Sequence, residues 1–208
     1  MRKAEPRMFK LSLRSFRLYI AAVAVLFFLL FSFAGYMTAE WYKASDAVLA
    51  YSSLNGKSRI CLPDSTFVWL NAGSTLEYFV SRWTKERNVR LDGEAYFEVA
   101  KNPSKPFIVQ CKDYAVKVLG TSFNVNSYEG DETSKTTLAT GKVEIDMDGK
   151  QTILNPGQQA IIKDGEVNVK EVDVEVYTTW MYENFRFKSE SIQEIMTKLS
   201  RWYTIDVF

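Results

Sequence analysis

The chain has 208 residues, a formal net charge of +1 and two cysteines, and it contains no histidine. The lack of histidine removes the commonest general base and the commonest metal ligand. A near-neutral charge argues against a nucleic-acid-binding surface, because such a surface needs clustered lysine and arginine. Composition therefore points away from histidine-based metalloenzymes and DNA-binding proteins, while the length allows a folded domain with its own core.

An uncharged apolar stretch occupies residues 18–37, LYIAAVAVLFFLLFSFAGYM. About twenty apolar residues are enough to cross a bilayer as one helix. Six Lys or Arg residues lie in residues 1–17, opposed by Glu5 alone, and this excess predicts a cytoplasmic N-terminus. A cleaved signal peptide is the alternative, but its apolar core is usually shorter, roughly 7–15 residues. We therefore predict a short basic cytoplasmic tail at residues 1–17, an uncleaved transmembrane helix and a large extracytoplasmic part.

Beyond a juxtamembrane linker at residues 38–51, residues 52–171 consist of short runs in which apolar and polar residues alternate. The alternation is clear in Glu94–Val99 and in Ala115–Val118, as in half-buried strands. Turn signals recur about every 8–12 residues, and Asp148-Gly149 is the best hairpin signal among them. The pattern predicts a mainly β fold, with one all-β domain of solenoid-like or sandwich-like form.

Residues 172–183 are predicted to be a linker, and residues 184–208 to begin an incomplete C-terminal α/β module. Phe185–Phe187 predicts a strand, and residues 203–208 predict another. Between them, apolar residues at helical spacing predict a helix: Ile192, Ile195, Met196, Leu199 and Trp202. A strand, a helix and a strand form only part of a layer, so the last strand would leave an edge open to a partner strand.

Paired carboxylates offer no active site in this sequence. Glu94 and Glu98 share one face of a predicted strand, but about 13 Å separates them, more than the roughly 5–9.5 Å that glycoside hydrolysis requires. We interpret both as residues of a solvated outer face. Asp146 and Asp148 superficially resemble a calcium loop, but the further ligands are missing. The sequence therefore predicts a non-enzymatic protein with no cofactor and no metal.

Cys61 and Cys111 both lie in strand-like surroundings beyond the apolar stretch. A disulfide between them is open, because an oxidising compartment permits one while the sequence gives no Cα separation. The aromatic residues of the β-region could line a sugar or siderophore surface. Most of them fall within apolar alternation, however, which favours core or cross-strand packing.

Four consecutive motifs make the β-region recognisable: Leu62–Ser74 (LPDSTFVWLNAGS), Arg90–Lys101 (RLDGEAYFEVAK), Val118–Val125 (VLGTSFNV) and Leu154–Ala160 (LNPGQQA). In order and spacing they resemble the FecR-like family of transmembrane regulators, in the form common among Bacteroidetes-type bacteria. The positions that the resemblance marks as fold-defining are Asp64, Trp69, Asn71, Gly73, Gly93, Glu94, Tyr96, Phe97, Pro106, Phe107, Gly120, Thr121, Phe123, Pro156 and Gly157. Ser65 departs from the family, which usually has glycine there. If that position needs a positive φ, Ser65 costs about 1 kcal/mol.

The resemblance implies a single-pass regulator of the inner membrane with its bulk in the periplasm. Such a protein senses the N-terminal signalling domain of an outer-membrane TonB-dependent transporter, often one for iron or siderophores. It controls an extracytoplasmic-function sigma factor as an anti-sigma factor. The C-terminal module would be similar to the short N-terminal domain of secretins and TonB-type proteins, and its candidate partner-binding residues are Trp202, Tyr203 and Phe208.

The family usually has a folded cytoplasmic segment and a longer C-terminal domain, so the chain looks truncated at both ends. The alternative hypothesis is therefore a signalling-decoupled periplasmic binding or tether protein that lacks the sigma-binding segment. A membrane-anchored glycan-acting enzyme is the least favoured hypothesis, because the sequence lacks histidine and a close carboxylate pair.

Overall fold

The computed structural model describes residues 13–43, 47–81, 84–182 and 192–203. The chain divides into two compact units, residues 1–46 and residues 47–208. The first unit contains helix α1, Leu13–Lys43. Its stretch Phe16–Glu40 is long and apolar enough to cross a membrane. The predicted helix at residues 18–37 is therefore present, and it continues beyond the apolar stretch at both ends.

The second unit is mainly β-structure, as the sequence predicts. Its described strands are β1 (Ala47–Ser53), β2 (Ser58–Cys61), β3 (Phe67–Leu70), β4 (Ser74–Val80), β5 (Arg87–Glu98), β6 (Phe107–Gln110), β7 (Ala115–Val118), β8 (Ser122–Ser127), β9 (Ser134–Thr140), β10 (Val143–Met147), β11 (Lys150–Leu154), β12 (Gln158–Lys163) and β13 (Glu166–Glu171). Neighbouring strands are antiparallel, with β5 and β6 as the parallel exception. We refer to this unit without its C-terminal helices as the β-domain.

The long strand β5 belongs to two layers. Its first half pairs with β4 and β6, whereas its second half pairs with β3 and β8. The first layer has the strand order β1-β4-β5-β6-β7-β10-β11, and the second has the order β2-β3-β5-β8-β9-β12-β13. The sheet thus folds back on itself into a sandwich-like, nearly closed barrel. The change of layer occurs at Gly93, where φ is +123° and an added Cβ would lie 2.3 Å from Ser74 Oγ.

One hydrophobic core fills the space between the layers. The Phe97 ring of the second layer stacks on Phe123, with 5.1 Å between ring centroids, and lies 6.0 Å from the ring of Phe107 in the first layer. All three side chains are fully buried. Burial of each such side chain contributes about 1.5–3 kcal/mol, so the cross-layer contact stabilises both halves of the sheet together.

Two hairpins have the turn geometry that their sequences predict. Asp148 and Gly149, between β10 and β11, have φ of +51° and +79°. Asp164 and Gly165, between β12 and β13, have φ of +49° and +76°. Positive φ at both central residues is the geometry whose twist matches the flanking strands, and Asp-Gly adopts it at little cost.

After β13 the chain forms helix α2 (Val174–Thr178), a 3₁₀ turn (Thr179–Tyr182) and helix α3 (Ile192–Tyr203). Asp173 caps α2 by accepting a hydrogen bond from Glu175 N at 3.3 Å. Residues 172–183, predicted as a linker, therefore contain short helical structure. Helix α3 agrees with the predicted helix. It also includes Tyr203, so the strand predicted at residues 203–208 is wrong at Tyr203. The predicted strand at Phe185–Phe187 and residues 204–208 lie outside the described residues.

Candidate functional site

Glu94 points away from the core on the outer face of the second layer. The sequence predicts that this face is solvated at both Glu94 and Glu98. That prediction is wrong for Glu94, whose residue is only 7% exposed, whereas Glu98 is exposed. A carboxylate is costly to bury unless hydrogen-bond donors satisfy it, so the partners of Glu94 define the first candidate site.

Two buried asparagines satisfy both oxygens of Glu94. Asn71 Nδ2 donates to Glu94 Oε2 at 2.7 Å, and Asn124 Nδ2 donates to Glu94 Oε1 at 3.0 Å. Asn71 follows β3 and Asn124 lies in β8, the two neighbours of β5 in the second layer. The cluster of Glu94, Asn71, Asn124 and Trp180, which we call the Glu94 junction, therefore ties three strands and one later residue together.

Trp180 attaches the C-terminal segment, residues 172–182 and 192–203, to this junction. Its indole Nε1 donates to Asn124 Oδ1 at 3.1 Å, and the residue is 5% exposed. Lys57, from the β1–β2 turn, donates to the backbone carbonyl of Trp180. The side chain and the backbone carbonyl of Trp180 therefore both attach the 3₁₀ turn to the β-domain.

A second contact, between Arg201 and the β8–β9 loop, holds α3. The guanidinium of Arg201 makes a two-pronged ion pair with Asp131, with Nη1 3.0 Å from Oδ2. The same guanidinium lies 3.9 Å from the ring centroid of Tyr128. Burial raises the pKa of Tyr128, so its hydroxyl remains protonated and donates to Ala72 O at 2.9 Å. Because Ala72 follows Asn71, the Arg201 contact is linked to the β3–β4 connection through Tyr128, as the Trp180 contact is through Asn124 and Glu94.

A separate buried ion pair positions the β2–β3 turn. Arg87, 3% exposed in β5, donates from Nη1 to Asp64 Oδ2 at 2.8 Å and to Ala100 O at 2.9 Å. Its Nε donates to Lys105 O at 2.8 Å. Asp64 also accepts from Thr66 N and Thr66 Oγ1. This network joins two turns to the start of β5, and its role is structural.

Phe67 and Trp69 of the first motif and Tyr96 of the second form an aromatic cluster on the outer face of β3 and β5. Trp69 packs edge-on against Tyr96, with 5.8 Å between ring centroids. The guanidinium of Arg59 lies 4.8 Å from the Trp69 ring and 4.6 Å from Phe67. Burial raises the pKa of Tyr96. These rings pack against each other across strands, in agreement with the cross-strand interpretation of the sequence.

The remaining motif residues lie at turns or between elements. Gly73, with φ of +68°, is in the β3–β4 connection, and Pro106 O accepts from Arg87 N at 2.8 Å. Gly120 approaches Lys101 so closely that an added Cβ would lie 2.7 Å from Lys101 Cα. Thr121 Oγ1 donates to Lys142 O at 3.0 Å. Pro156 and Gly157 form the β11–β12 turn, where Gly157 N donates to Leu138 O at 3.0 Å.

The candidate partner-binding residues belong to α3 or follow it in the sequence. Trp202 and Tyr203 belong to the last turn of α3, and Phe208 lies outside the described residues. Cys61 is exposed, Cys111 is half-buried and both are free, so the disulfide that the sequence left open is not formed. Within the described ranges, no cluster of acidic or cysteine residues could hold a metal ion.

Sequence reasoning missed the Glu94 junction and the Arg201–Asp131 pair. Asn124 gave a usable signal, because an amide at the centre of a strand whose neighbours Phe123 and Val125 are apolar needs a partner. The partner itself, Trp180, is 56 positions away in sequence. No local sequence pattern indicates that pairing.

The architecture defines a class of protein with one membrane-length helix, one two-layered β-domain and a helical C-terminal segment docked on it. A family model described as FecR protein matches residues 50–144. A crystal structure at 2.50 Å of a "putative anti-sigma factor" from Parabacteroides distasonis ATCC 8503 is similar, with 36% identity and a TM-score of 0.72 over 76% of each chain. A second crystal structure, at 1.65 Å and with the same description and organism, has 36% identity and a TM-score of 0.71 over 75% of each chain. No curated protein sequence matches the chain.

The chain belongs to the FecR family. The resemblance found from the four motifs is thereby confirmed, and the family is a regulatory class rather than a class of enzymes.

Proposed function

We propose that this protein is a membrane-anchored anti-sigma factor that carries a signal between two compartments. The observation that carries the proposal is the 36% identity to the P. distasonis protein over 76% of this chain, because identity at that level extends beyond the fold alone. Membership of the FecR family and one membrane-length helix near the N-terminus support the same role.

In this proposal the N-terminus lies in the cytoplasm and the β-domain in the periplasm, with α1 crossing the inner membrane. The basic excess of residues 1–17 supports that orientation. The partners are an extracytoplasmic-function sigma factor on the cytoplasmic side and the N-terminal signalling domain of a TonB-dependent transporter, such as one for iron-siderophores, on the periplasmic side. Residues 52–171 serve as the FecR-like domain, and residues 184–208 begin the C-terminal module, with Trp202, Tyr203 and Phe208 in contact with the transporter.

Polar contacts between the C-terminal segment and the β-domain support a physical route for this proposal. Trp180 and Arg201 both reach the β-domain through hydrogen bonds and charge. Polar contacts of this kind can be exchanged for contacts with a partner at small net cost when the partner supplies equivalent donors and acceptors. A partner that binds the C-terminal segment can therefore alter its contact with the β-domain.

The test is recovery of a sigma factor with the tagged protein from membranes of its own host, with transcription from that sigma factor's promoter as the second readout. We expect one extracytoplasmic-function sigma factor to co-purify, and deletion of the gene to change promoter activity. Expression of the transporter's signalling domain should change promoter activity in cells that keep the gene and should have no effect in the deletion strain. Failure to recover any sigma factor, together with unchanged transcription after deletion, would contradict the proposal.

A further inference from the structure

Strand β1 is an edge of the first layer that offers a row of backbone groups to a further strand. It pairs with β4 along all seven of its residues, and among the described strands it has no second neighbour. Val48 is 54% exposed and Leu49 is 36% exposed, and Ala47 and Ala50 are exposed as well. An exposed apolar edge strand is a strong template for pairing with another chain.

Each of the other described edges of the two layers carries at least one charged residue. Strand β2 carries Arg59, β11 carries Lys150, and β13 carries Glu166, Lys170 and Glu171. Charged side chains on an edge strand are a usual means of preventing edge-to-edge association. In contrast, residues 47–53 have the sequence AVLAYSS and contain no charge. Among the described edges, β1 alone carries no charged residue.

We propose that β1 pairs antiparallel with β1 of a second copy of this chain, so that two first layers join into one continuous sheet. The absence of charge selects this occupant, because a two-fold antiparallel pair places a strand against its own sequence. Any charged residue near the centre of such a pair would face a like charge, which destabilises cross-strand pairing. Strand β1 satisfies this condition along its whole length.

The membrane-length helix favours the same association. Copies that share a membrane are confined to a plane, and confinement raises their effective concentration without any new contact. An edge contact that is weak in dilute solution can therefore be populated in the membrane. The proposed dimer needs neither the sigma factor nor the transporter, so its test is independent of the function proposed above.

Single-cysteine crosslinking of the full chain in its membrane tests the proposal. The background is Cys61→Ser with Cys111→Ser, and one cysteine is introduced in turn at each of residues 47–52. In an antiparallel pair of identical strands, only residues near the two-fold axis lie opposite their own copies. There the two Cα atoms are about 4.5–5.5 Å apart, which is within the range that a disulfide needs. We expect a disulfide-linked dimer that peaks at one or two adjacent positions near Leu49 and Ala50. The pairing would be overturned if no position formed a disulfide-linked dimer, or if all six positions formed it in equal yield. A crosslink to a different protein would also overturn it.

A matched pair of edge substitutions supplies the second test, each made in the Ala50→Cys background. Val48→Lys places two like charges on the same face of the proposed sheet, about two to four residues apart across the two-fold axis, and replaces an apolar contact at the pair. We expect about a fivefold to tenfold loss of the dimer-to-monomer ratio. Val169→Lys makes the same change on β13, where Val169 is 36% exposed, and should leave the ratio unchanged. Unchanged far-ultraviolet circular dichroism of both variants would show that they fold. An equal effect of the two substitutions, or no effect of either, would overturn the proposal.

Discussion

Ser65 has a φ of +69°, a left-handed conformation that costs a residue with a Cβ. The sequence prediction was conditional on a positive φ at this position, and the structure meets that condition. Ser65 lies in the β2–β3 turn, where its N–H donates to Leu62 O at 3.0 Å. The strain is therefore local to one turn.

We expect Ser65→Gly to raise the free energy of unfolding by about 0.5–1 kcal/mol, because glycine adopts this φ without strain. Chemical denaturation of the detergent-solubilised protein measures the change. Ser104→Gly is the control, since Ser104 lies in a turn without a positive φ. That variant should lower the free energy of unfolding through added chain entropy. A loss of stability in both variants would contradict the strain at Ser65.

The two cysteines should differ sharply in reactivity. Burial raises the pKa of the Cys111 thiol to about 12, whereas Cys61 is exposed. The thiolate is the reactive form, so at pH 8 only about one Cys111 thiol in 10,000 is ionised. We expect iodoacetamide to modify Cys61 at least about 100-fold faster than Cys111 in the folded protein. Peptide mass mapping measures the rates, and denaturant should make them similar. Comparable rates before denaturation would show that the Cys111 thiol is accessible and ionised.

Glu94 is the residue whose burial the sequence did not anticipate. Glu94→Gln replaces one carboxylate oxygen by an NH₂ group. The Nδ2 atom of Asn71 or of Asn124 then faces a donor instead of an acceptor. We expect a loss of about 1–3 kcal/mol in the free energy of unfolding, because a buried donor is left without its acceptor. The matched control is Glu98→Gln, an exposed residue of the same strand face, which should change stability by less than about 0.5 kcal/mol. Equal effects of the two substitutions would contradict a structural role for the junction.

At the scale of elements, the C-terminal segment depends on very few residues for its attachment. Trp180 is the buried residue of the 3₁₀ turn, and α2 has none. Because Trp180 is the buried residue of these elements, the burial of its indole and the hydrogen bond to Asn124 form a large part of their attachment. Elements with few buried contacts open locally well before the whole domain unfolds.

Trp180→Phe keeps an aromatic ring but removes the donor to Asn124 Oδ1. We expect amide exchange in Val174–Tyr182 to accelerate by about tenfold, corresponding to one lost buried hydrogen bond. Exchange in the core strands should not change. Hydrogen–deuterium exchange with mass spectrometry measures both regions. Tyr182→Phe is the control, because Tyr182 is 68% exposed. If the two variants behave alike, the indole hydrogen bond does not hold this segment.

The elements could be predicted from sequence to different extents, for reasons that the structure makes clear. Alternation and Asp-Gly turns located strands such as β5, β7 and the β10–β11 hairpin, since these signals are local. Helix α3 followed from its apolar spacing. Helix α2 was missed because five residues are too short for a helical period to emerge. Its attachment depends on contacts distant in sequence, which no local pattern contains.

At the scale of the whole molecule, the shared strand β5 couples the two layers. A change at its crossing point should therefore affect both layers together. The sequence predicted a sandwich-like or solenoid-like domain but did not distinguish them, because β5 has the same alternation whether it pairs with one set of neighbours or two. Only the long-range pairings of β5 with β4, β6, β3 and β8 decide the form.

Gly93→Ala places a Cβ 2.3 Å from Ser74 Oγ and imposes a φ of +123° on a residue that disfavours it. We expect a loss of about 3 kcal/mol or more in the free energy of unfolding, from overpacking and backbone strain combined. Exchange protection should fall in parallel in β6 of the first layer and β8 of the second. The control is Gly149→Ala, which has open space around its Cβ and should cost only about 1 kcal/mol from its positive φ. Loss of protection in one layer alone would show that the layers unfold separately.

The positions at which the chain enters and leaves the β-domain give it a mechanical property. The chain enters through β1, at the edge of one layer, and leaves through β13, at the edge of the other. Each of these strands is held by one neighbouring strand among those described, whereas β5 is held on both sides in each layer. A force that pulls the residues before β1 away from the residues after β13 would detach these two outer strands first and leave the central strands folded. Under force the domain would therefore unfold in steps, beginning with β1 and β13.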